Sequence, residues 1–293
     1  MAGINTAVLA TDYNTIQSKI NNILGNGSVD YGYGQPVTSS QVARATRITV
    51  AQWNALRNDL LTARSHQTNL DESGLLTVAS TATRIREADR AAYSLFADIV
   101  TTNRLVTPPS DQASLTTLQT VTRTAPWATT ISHQVTVTFA SEDAGRFFFN
   151  SGSSIRFSSS MSGYSAGLSL LVNQSWATLL ANMGIISFNA YSTTKTGTGT
   201  AQAIGFYNLT TTDQLIFTKL VEAGNQYTPN RYELKVKKSG NSIIFTPTWS
   251  YVEDGNYGTF EPADGTLISL VQAYTATGPN VSVSAPISST TTL

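Results

Sequence analysis

Residues 163–167 read Gly-Tyr-Ser-Ala-Gly, a G-x-S-x-G pattern. In hydrolases this pattern sets a serine on a strained strand-to-helix turn, with its hydroxyl raised toward a histidine. Ser165 would be that nucleophile. A triad in that setting runs serine, acid, histidine, yet both histidines here, His66 and His133, precede Ser165. The flanking segments also read as antiparallel strands, whereas the elbow belongs to a parallel sheet. Three fixed letters in five arise easily by chance, so no catalytic residue is assigned. His133 shares the apolar face of its strand and is expected to be a buried neutral imidazole with one backbone partner. His66 is expected near a helix C-terminus, where a cation is mildly favoured. Two histidines in separate parts of the chain do not make a metal set.

Glu253, Asp254, Glu261 and Asp264 fall in one loop. Oxygen-rich loops bind calcium, but this spacing is not that of an EF-hand. A glycosidase pair needs two carboxylates held across a cleft on rigid elements, which a loop supplies poorly. Two acidic turns are the plainer reading, and calcium stays open. Trp53 and Trp176 lie on apolar helical stripes, and Trp249 alternates with polar residues, so these three belong to cores. Trp127, after Pro126, is the loop tryptophan and the candidate for stacking on a sugar. Gly197, Gly199 and Gly205 spell no phosphate loop. The chain has no cysteine, which excludes disulfides, thiolate metal sites and cysteine nucleophiles. No metal and no cofactor are expected.

The elements that would position these residues follow from periodicity. Ile16, Ile20, Ile23 and Leu24 make one helical stripe, which Thr11 or Asp12 can cap and Gly25 can stop. The tyrosine- and glycine-rich stretch 26–35 is expected to be a tight loop whose tyrosines pack locally. Thr49 caps a second helix, with Val50, Trp53, Leu56, Leu60 and Leu61 on helical spacing. A third helix is expected from about Thr83 to Thr102, with Ile85, Ala88, Ala92, Leu95, Phe96 and Ile99 as its apolar stripe. Val106 to Asp111, with its Pro-Pro pair, reads as an extended strut. Leu115 to Val121 is expected as an irregular strand or short helix. Ile131 to Phe139 alternates with a period of two, as a half-buried strand does. Ser141 can cap a short helix ending before Gly152. A strand through Ile155 and Phe157 follows, and then a second helix capped by Asn173. Strands are expected over Ile185–Tyr191, Leu215–Val221, Tyr232–Val236, Ile243–Tyr251 and Leu267–Thr275, with a last one near Val281–Val283. Pro247 suggests an edge or a bulge. The fold class is therefore α+β: a helical domain over 1–105, a proline-containing linker and lead-in over 106–130, and a β-rich antiparallel sandwich with two short helices over 131–293, ending in a polar arm.

Among the 293 residues, 18 are Lys or Arg and 18 are Asp or Glu, so the formal charge is zero. Nucleic-acid binding needs clustered cations on phosphates, and no cluster is present. A polybasic membrane patch is missing for the same reason. Charged residues make up 12% of the chain, about half the usual share of a soluble domain. Such a surface suits a subunit largely occupied by neighbours better than a free monomer. The first residues lack the basic and apolar regions of a signal peptide, and no apolar run approaches the roughly 20 residues of a membrane span.

The segments TFASEDAGRFFFNSGSSIRFSSS and SWATLLANMGIISFNAY resemble a virion structural protein family of tailed phages, in particular contractile-tailed marine cyanobacterial phages. The start, VLATDYNTIQSKINNILGNGSVDYGYGQPVTSSQV followed by ITVAQWNALRNDLLTARSHQT, is similar to the same family, as is IGFYNLTTTDQLIFTKL. The resemblance covers most of the chain in order. It implies a non-enzymatic component of the virion, assembled in the host cytoplasm, with copies of itself and other virion proteins as partners. No catalytic residues come with it. A place in the tail, baseplate or neck is expected, including a fibre or fibre anchor. A capsid decoration protein and a host-glycan-binding adhesin remain the alternatives. Neither nucleic-acid binding nor membrane insertion is expected.

Overall fold

The computed structural model describes residues 8–82, 85–164, 167, 170–222, 229–252 and 262–293. Ser165 and the acidic residues Glu253, Asp254 and Glu261 lie outside them, as does Thr83, the expected start of the third helix. Among the described residues the chain forms α1 (Ala10–Leu24), α2 (Val50–Thr68), α3 (Glu87–Thr102), β1 (Ala113–Arg123), β2 (Ile131–Ser132), β3 (Val135–Thr138), α4 (Glu142–Asn150), β4 (Ser154–Ser162) and α5 (Leu170–Met183). There follow β5 (Ile186–Phe188), β6 (Thr193–Lys195), β7 (Thr200–Ala201), β8 (Gln214–Leu220), β9 (Arg231–Ser239), β10 (Ser242–Ser250), β11 (Thr266–Ala276) and β12 (Ile287–Thr290). The fold is α+β, with the long helices first and two antiparallel sheets after them. No helix among the described residues is long and apolar enough to cross a membrane.

The chain divides into two compact units. One comprises Met1–Ser114, Arg146–Ser153 and Thr275–Ser284, the other Leu115–Gly145, Ser154–Tyr274 and Ala285–Leu293. The helical unit thus takes in two later segments that chain order alone leaves with the β-rich part.

In the helical unit, α1 buries Ile16, Ile20, Ile23 and Leu24 as the stripe predicts, together with Tyr13. Trp53 of α2 lies between Tyr13 and Tyr93, with ring centroids at 5.7 and 4.8 Å. Thr49 caps α2 by a reciprocal pair: Gln52 N donates to Thr49 Oγ1, and Thr49 N to Gln52 Oε1. Helix α3 corrects the expectation. Its buried face is Tyr93, Phe96, Ala97 and Val100, whereas Leu95 is 63% exposed. The apolar residues of α3 run around both sides, so spacing alone does not choose a face. Tyr93 decides it, because its ring meets Trp53 and its hydroxyl donates to Thr77 O at 2.6 Å. The 26–35 loop corrects its expectation, because its tyrosines are held by residues far along the chain rather than locally. Tyr33 is buried and donates to Arg104 O, while Asn150 and Arg146 donate to the carbonyls of Tyr31 and Val29. Gly34 has φ +68°, and a Cβ there would run into the Phe147 ring.

The irregular segments of this unit are held by side-chain amides and one carboxylate. Asn14 and Val42 exchange two bonds, as do Asn54 and Ala79. Asp59, 3% exposed on α2, accepts from Thr38 N, Thr38 Oγ1 and Ser39 N. It replaces the strand partner that this stretch of backbone lacks.

In the β-rich unit one sheet has the order β1-β11-β4-β5-β6 and the other β12-β3-β10-β9-β8-β7, with β2 pairing beside β3 on β10. Phe157 of β4 and Phe188 of β5 meet Phe245 of β10 across the sandwich, at 4.8 and 5.2 Å. Ser141 caps α4 by accepting from Ala144 N. Gly240 (φ +60°) turns β9 into β10.

Several expectations are corrected here. Leu115–Val121 belongs to a regular 11-residue strand, β1. Asn173 does not cap the second short helix, because α5 begins at Leu170 and buries Asn173. Pro247 is not at an edge, since β10 has neighbours on both sides. The carbonyl of Pro247 faces His133, whose N–H donates to it at 3.4 Å. The missing donor of Pro247 points the same way, into the gap between β2 and β3, so it breaks no ladder. The polar tail is not a free arm. Ile287–Thr290 pairs with β3, from Ile287↔Thr138 to Thr290↔Val135. Its Ser and Thr residues are fit for an edge strand, and hydroxyls rather than apolar side chains fix it.

Asp59→Ala is expected to cost the helical unit about 3 kcal/mol or more, because it strands buried backbone donors at Thr38 and Ser39. Urea unfolding followed by tryptophan fluorescence measures this.

Candidate functional site

His133 sits between β2 and β3 and is 2% exposed. Its Nε2 lies 3.0 Å from Ser269 Oγ on β11, and its Nδ1 3.2 Å from Thr290 Oγ1 on β12. The ring stacks on Trp249 at 5.9 Å and 17°. The Thr290 hydroxyl donates to the Gln134 carbonyl at 2.9 Å, which assigns the tautomer. Nδ1–H donates to Thr290 Oγ1, and Ser269 O–H donates to Nε2. The expected backbone partner is present at Gln134, and two hydroxyls, one from each sheet, join it.

This connectivity, hydroxyl to Nε2 and Nδ1–H to an oxygen, is that of a nucleophile and its base. Its setting is not. Ser269 is 1% exposed, so a substrate carbonyl does not reach Oγ in this conformation. Burial lowers the His133 pKa from 6.5 to about 4, well below the range useful to a base at neutral pH. The third member is a neutral threonine rather than a carboxylate, so an imidazolium would gain little. The arrangement is a packed polar bridge that ties β3, β11 and β12 together. The sequence did carry a signal for Ser269, a polar residue set among the inward positions Leu267, Val271 and Ala273 of β11. Nothing local pointed to Thr290.

His66 corrects its expectation. It is fully buried, Nε2–H donates to Ser151 O at 2.9 Å, and its ring meets Tyr33 edge-on at 5.1 Å. Burial lowers its pKa to about 4, so it is a neutral core group and not a cation at a helix end. Trp127 is likewise not a surface aromatic. It is 4% exposed, packs on Trp176 at 4.8 Å and on Tyr251 at 6.0 Å, and exchanges backbone bonds with Ala263. Asp264, the described member of the acidic loop, accepts from Asn173 Nδ2 at 2.5 Å and donates its N–H to Asn173 Oδ1. No group of three or more His, Asp or Glu able to hold a metal occurs among the described residues.

A surface depression lies between α4 and the β9–β10 turn, lined by Phe139, Ser141, Glu142, Phe206, Lys238 and Asn241. Its volume is about 10 Å3, room for one water and far below what an organic ligand needs. Lys238 lies 3.9 Å from Glu142 and over the Phe206 ring at 5.7 Å, so its charge is already matched. Comparison with family models, curated proteins and solved structures finds no match.

Both histidines bind a proton less readily in the folded chain than in the unfolded one, so the unfolded state takes up more protons between pH 6.5 and 4. Their stabilisation is full above about pH 6.5 and is lost as pH falls toward 4, by at most about 3 kcal/mol each. In His66→Gln the loss assigned to the helical unit should flatten, while the β-rich unit keeps its own. Urea midpoints measured at half-unit steps of pH check this, and an unchanged slope in the variant contradicts it.

Proposed function

We propose that this chain is a non-enzymatic structural subunit of a tailed-phage particle, built into the tail, baseplate or neck region, with copies of itself and other virion proteins as its neighbours. The observation that carries the assembly half of this reading is β1. It is an 11-residue strand at the end of its sheet, and it bears no charge from Ala113 to Thr122. Leu115, Thr116 and Thr117 are exposed, so both faces of that stretch are open. On its outer side β12 reaches it through Ser288: Ser288 Oγ donates to Leu118 O, and Gln119 Nε2 donates to Ser288 Oγ and Ser288 O. A long, uncharged edge is a hazard to a free monomer and a ready joint in an assembly. The 12% of charged residues favours the same conclusion. The phage half rests on the resemblance of the quoted segments.

Capsid decoration is the second structural place for the same chain. The adhesin alternative loses the residue it was built on, because Trp127 packs inside the β-rich unit.

Light scattering of the purified chain is expected to give a mass well above 31.4 kDa at micromolar concentration. Thr117→Lys, a charge on the open edge, is expected to shift that mass toward one chain while changing unfolding stability by no more than about 0.5 kcal/mol. Mass spectrometry of purified particles should detect the chain. A lone subunit at every concentration, missing from particles, would sink the proposal.

A further inference from the structure

The outer face of the five-stranded sheet carries an arginine with no anionic partner among the described residues. Arg156 lies on β4, the central strand. Gln272 of β11 stands directly across from it on one side and Ser187 of β5 on the other. Cross-strand partners leave a sheet on the same face, as do Ser154 and Ser158, two residues away along β4. The guanidinium lies 3.9 Å from the centre of the Tyr274 ring, and Nε donates to Ser154 Oγ at 3.4 Å. Among the described residues no carboxylate comes within ion-pair distance of Arg156, and both terminal nitrogens make no hydrogen bond. The side chains of Ser158, Ser187 and Gln272 also make none there. Burial is the larger influence on Arg156 and lowers its pKa from the usual value, with the Tyr274 hydroxyl opposing it.

A half-buried cation normally recovers its desolvation through a carboxylate. Here the ring recovers part of it through the cation–π contact, and the forked donors stay uncommitted. A guanidinium fork fits a planar or tetrahedral oxyanion with two parallel bonds. The neutral hydroxyls and the amide around it suit the hydroxyl groups of a sugar ring. We propose that Arg156, Ser187 and Gln272 form a binding site for an acidic saccharide, with the guanidinium holding its carboxylate or sulfate. Tyr274 keeps the guanidinium in place from beneath. The site does not depend on the phage reading and stands or falls separately from it.

The test is titration of the full chain, by calorimetry and by chemical-shift changes, with glucuronic acid, glucose 6-sulfate, glucose and inorganic sulfate. Glucuronic acid or the sulfated sugar should bind with a Kd on the order of 1 mM, and glucose at least tenfold more weakly. Whichever acidic sugar binds more tightly identifies the oxyanion. Arg156→Gln should raise that Kd at least tenfold. Arg156→Lys should fall between, since it keeps the charge and loses the fork. Gln272→Ala should weaken the sugars more than inorganic sulfate. Circular dichroism melts confirm that the variants fold. No binding of either acidic sugar up to about 20 mM, an unchanged Kd in Arg156→Gln, or inorganic sulfate binding as tightly as the sugars would each overturn the proposal.

Discussion

Backbone groups away from a ladder need hydrogen-bond partners, and in this chain side-chain amides on regular elements supply them. Asn14 of α1 pairs with Val42, Asn54 of α2 with Ala79, Gln35 with Ser282 and Asn173 of α5 with Asp264, each through two reciprocal bonds. An amide presents a donor and an acceptor side by side, as one residue of a strand does. The clamps at Asn14, Asn54 and Asn173 therefore extend a helix's order sideways into a segment with no periodicity of its own. The stretch from 25 to 49 is irregular along its whole length, yet it is fixed at Tyr33, Gln35, Thr38, Ser39 and Val42.

The same economy explains the low charge. Neutral amides and hydroxyls do inside this protein what ion pairs do elsewhere, and they carry a smaller desolvation cost. The two histidines obey the same constraint. His66 and His133 are held neutral by burial and are spent on a carbonyl and on hydroxyls. Their positions alone had suggested a cation at a helix end and a plain core imidazole. Burial decided the first, and contacts far along the chain decided the second.

Legibility in the sequence tracks the range of the interaction. The Thr49 cap, the α1 stripe and the Ser141 cap are set by residues within a few positions of one another, and all were readable. The buried face of α3 was not, because Ala88, Ala92, Leu95 and Ile99 offer as good a stripe as Tyr93, Phe96, Ala97 and Val100. The choice is made by Trp53, 40 residues earlier than Tyr93. The pairing of Ile287–Thr290 with β3 spans about 150 residues and leaves no mark in a tail of serines and threonines. Trp127 misled for a related reason. It lies in a loop by sequence, but the loop folds back onto Trp176 and Ala263. Arg156 was visible only as an outward residue of a strand. Its lack of a carboxylate is a property of three neighbouring strands.

The two sheets of the β-rich unit treat their outer faces differently, and the difference bears on where this protein meets other molecules. On the outward face of the seven-stranded sheet Arg231 pairs with Glu233 and Lys237 with Asp213, while Lys235 between them makes no ion pair among the described residues. Matched charge over a sheet face is compatible with water and discourages further pairing. The five-stranded sheet carries fewer charges. Its edge strand β1 is uncharged until Arg123, and its central strand β4 carries serines and one arginine without an ion pair among the described residues. A face left with unmatched donors and an open edge gains more from a partner than from solvent, because each bond made there replaces water on a group that the fold has not committed. The proposed joint at β1 and the proposed anion site at Arg156 belong to this one sheet.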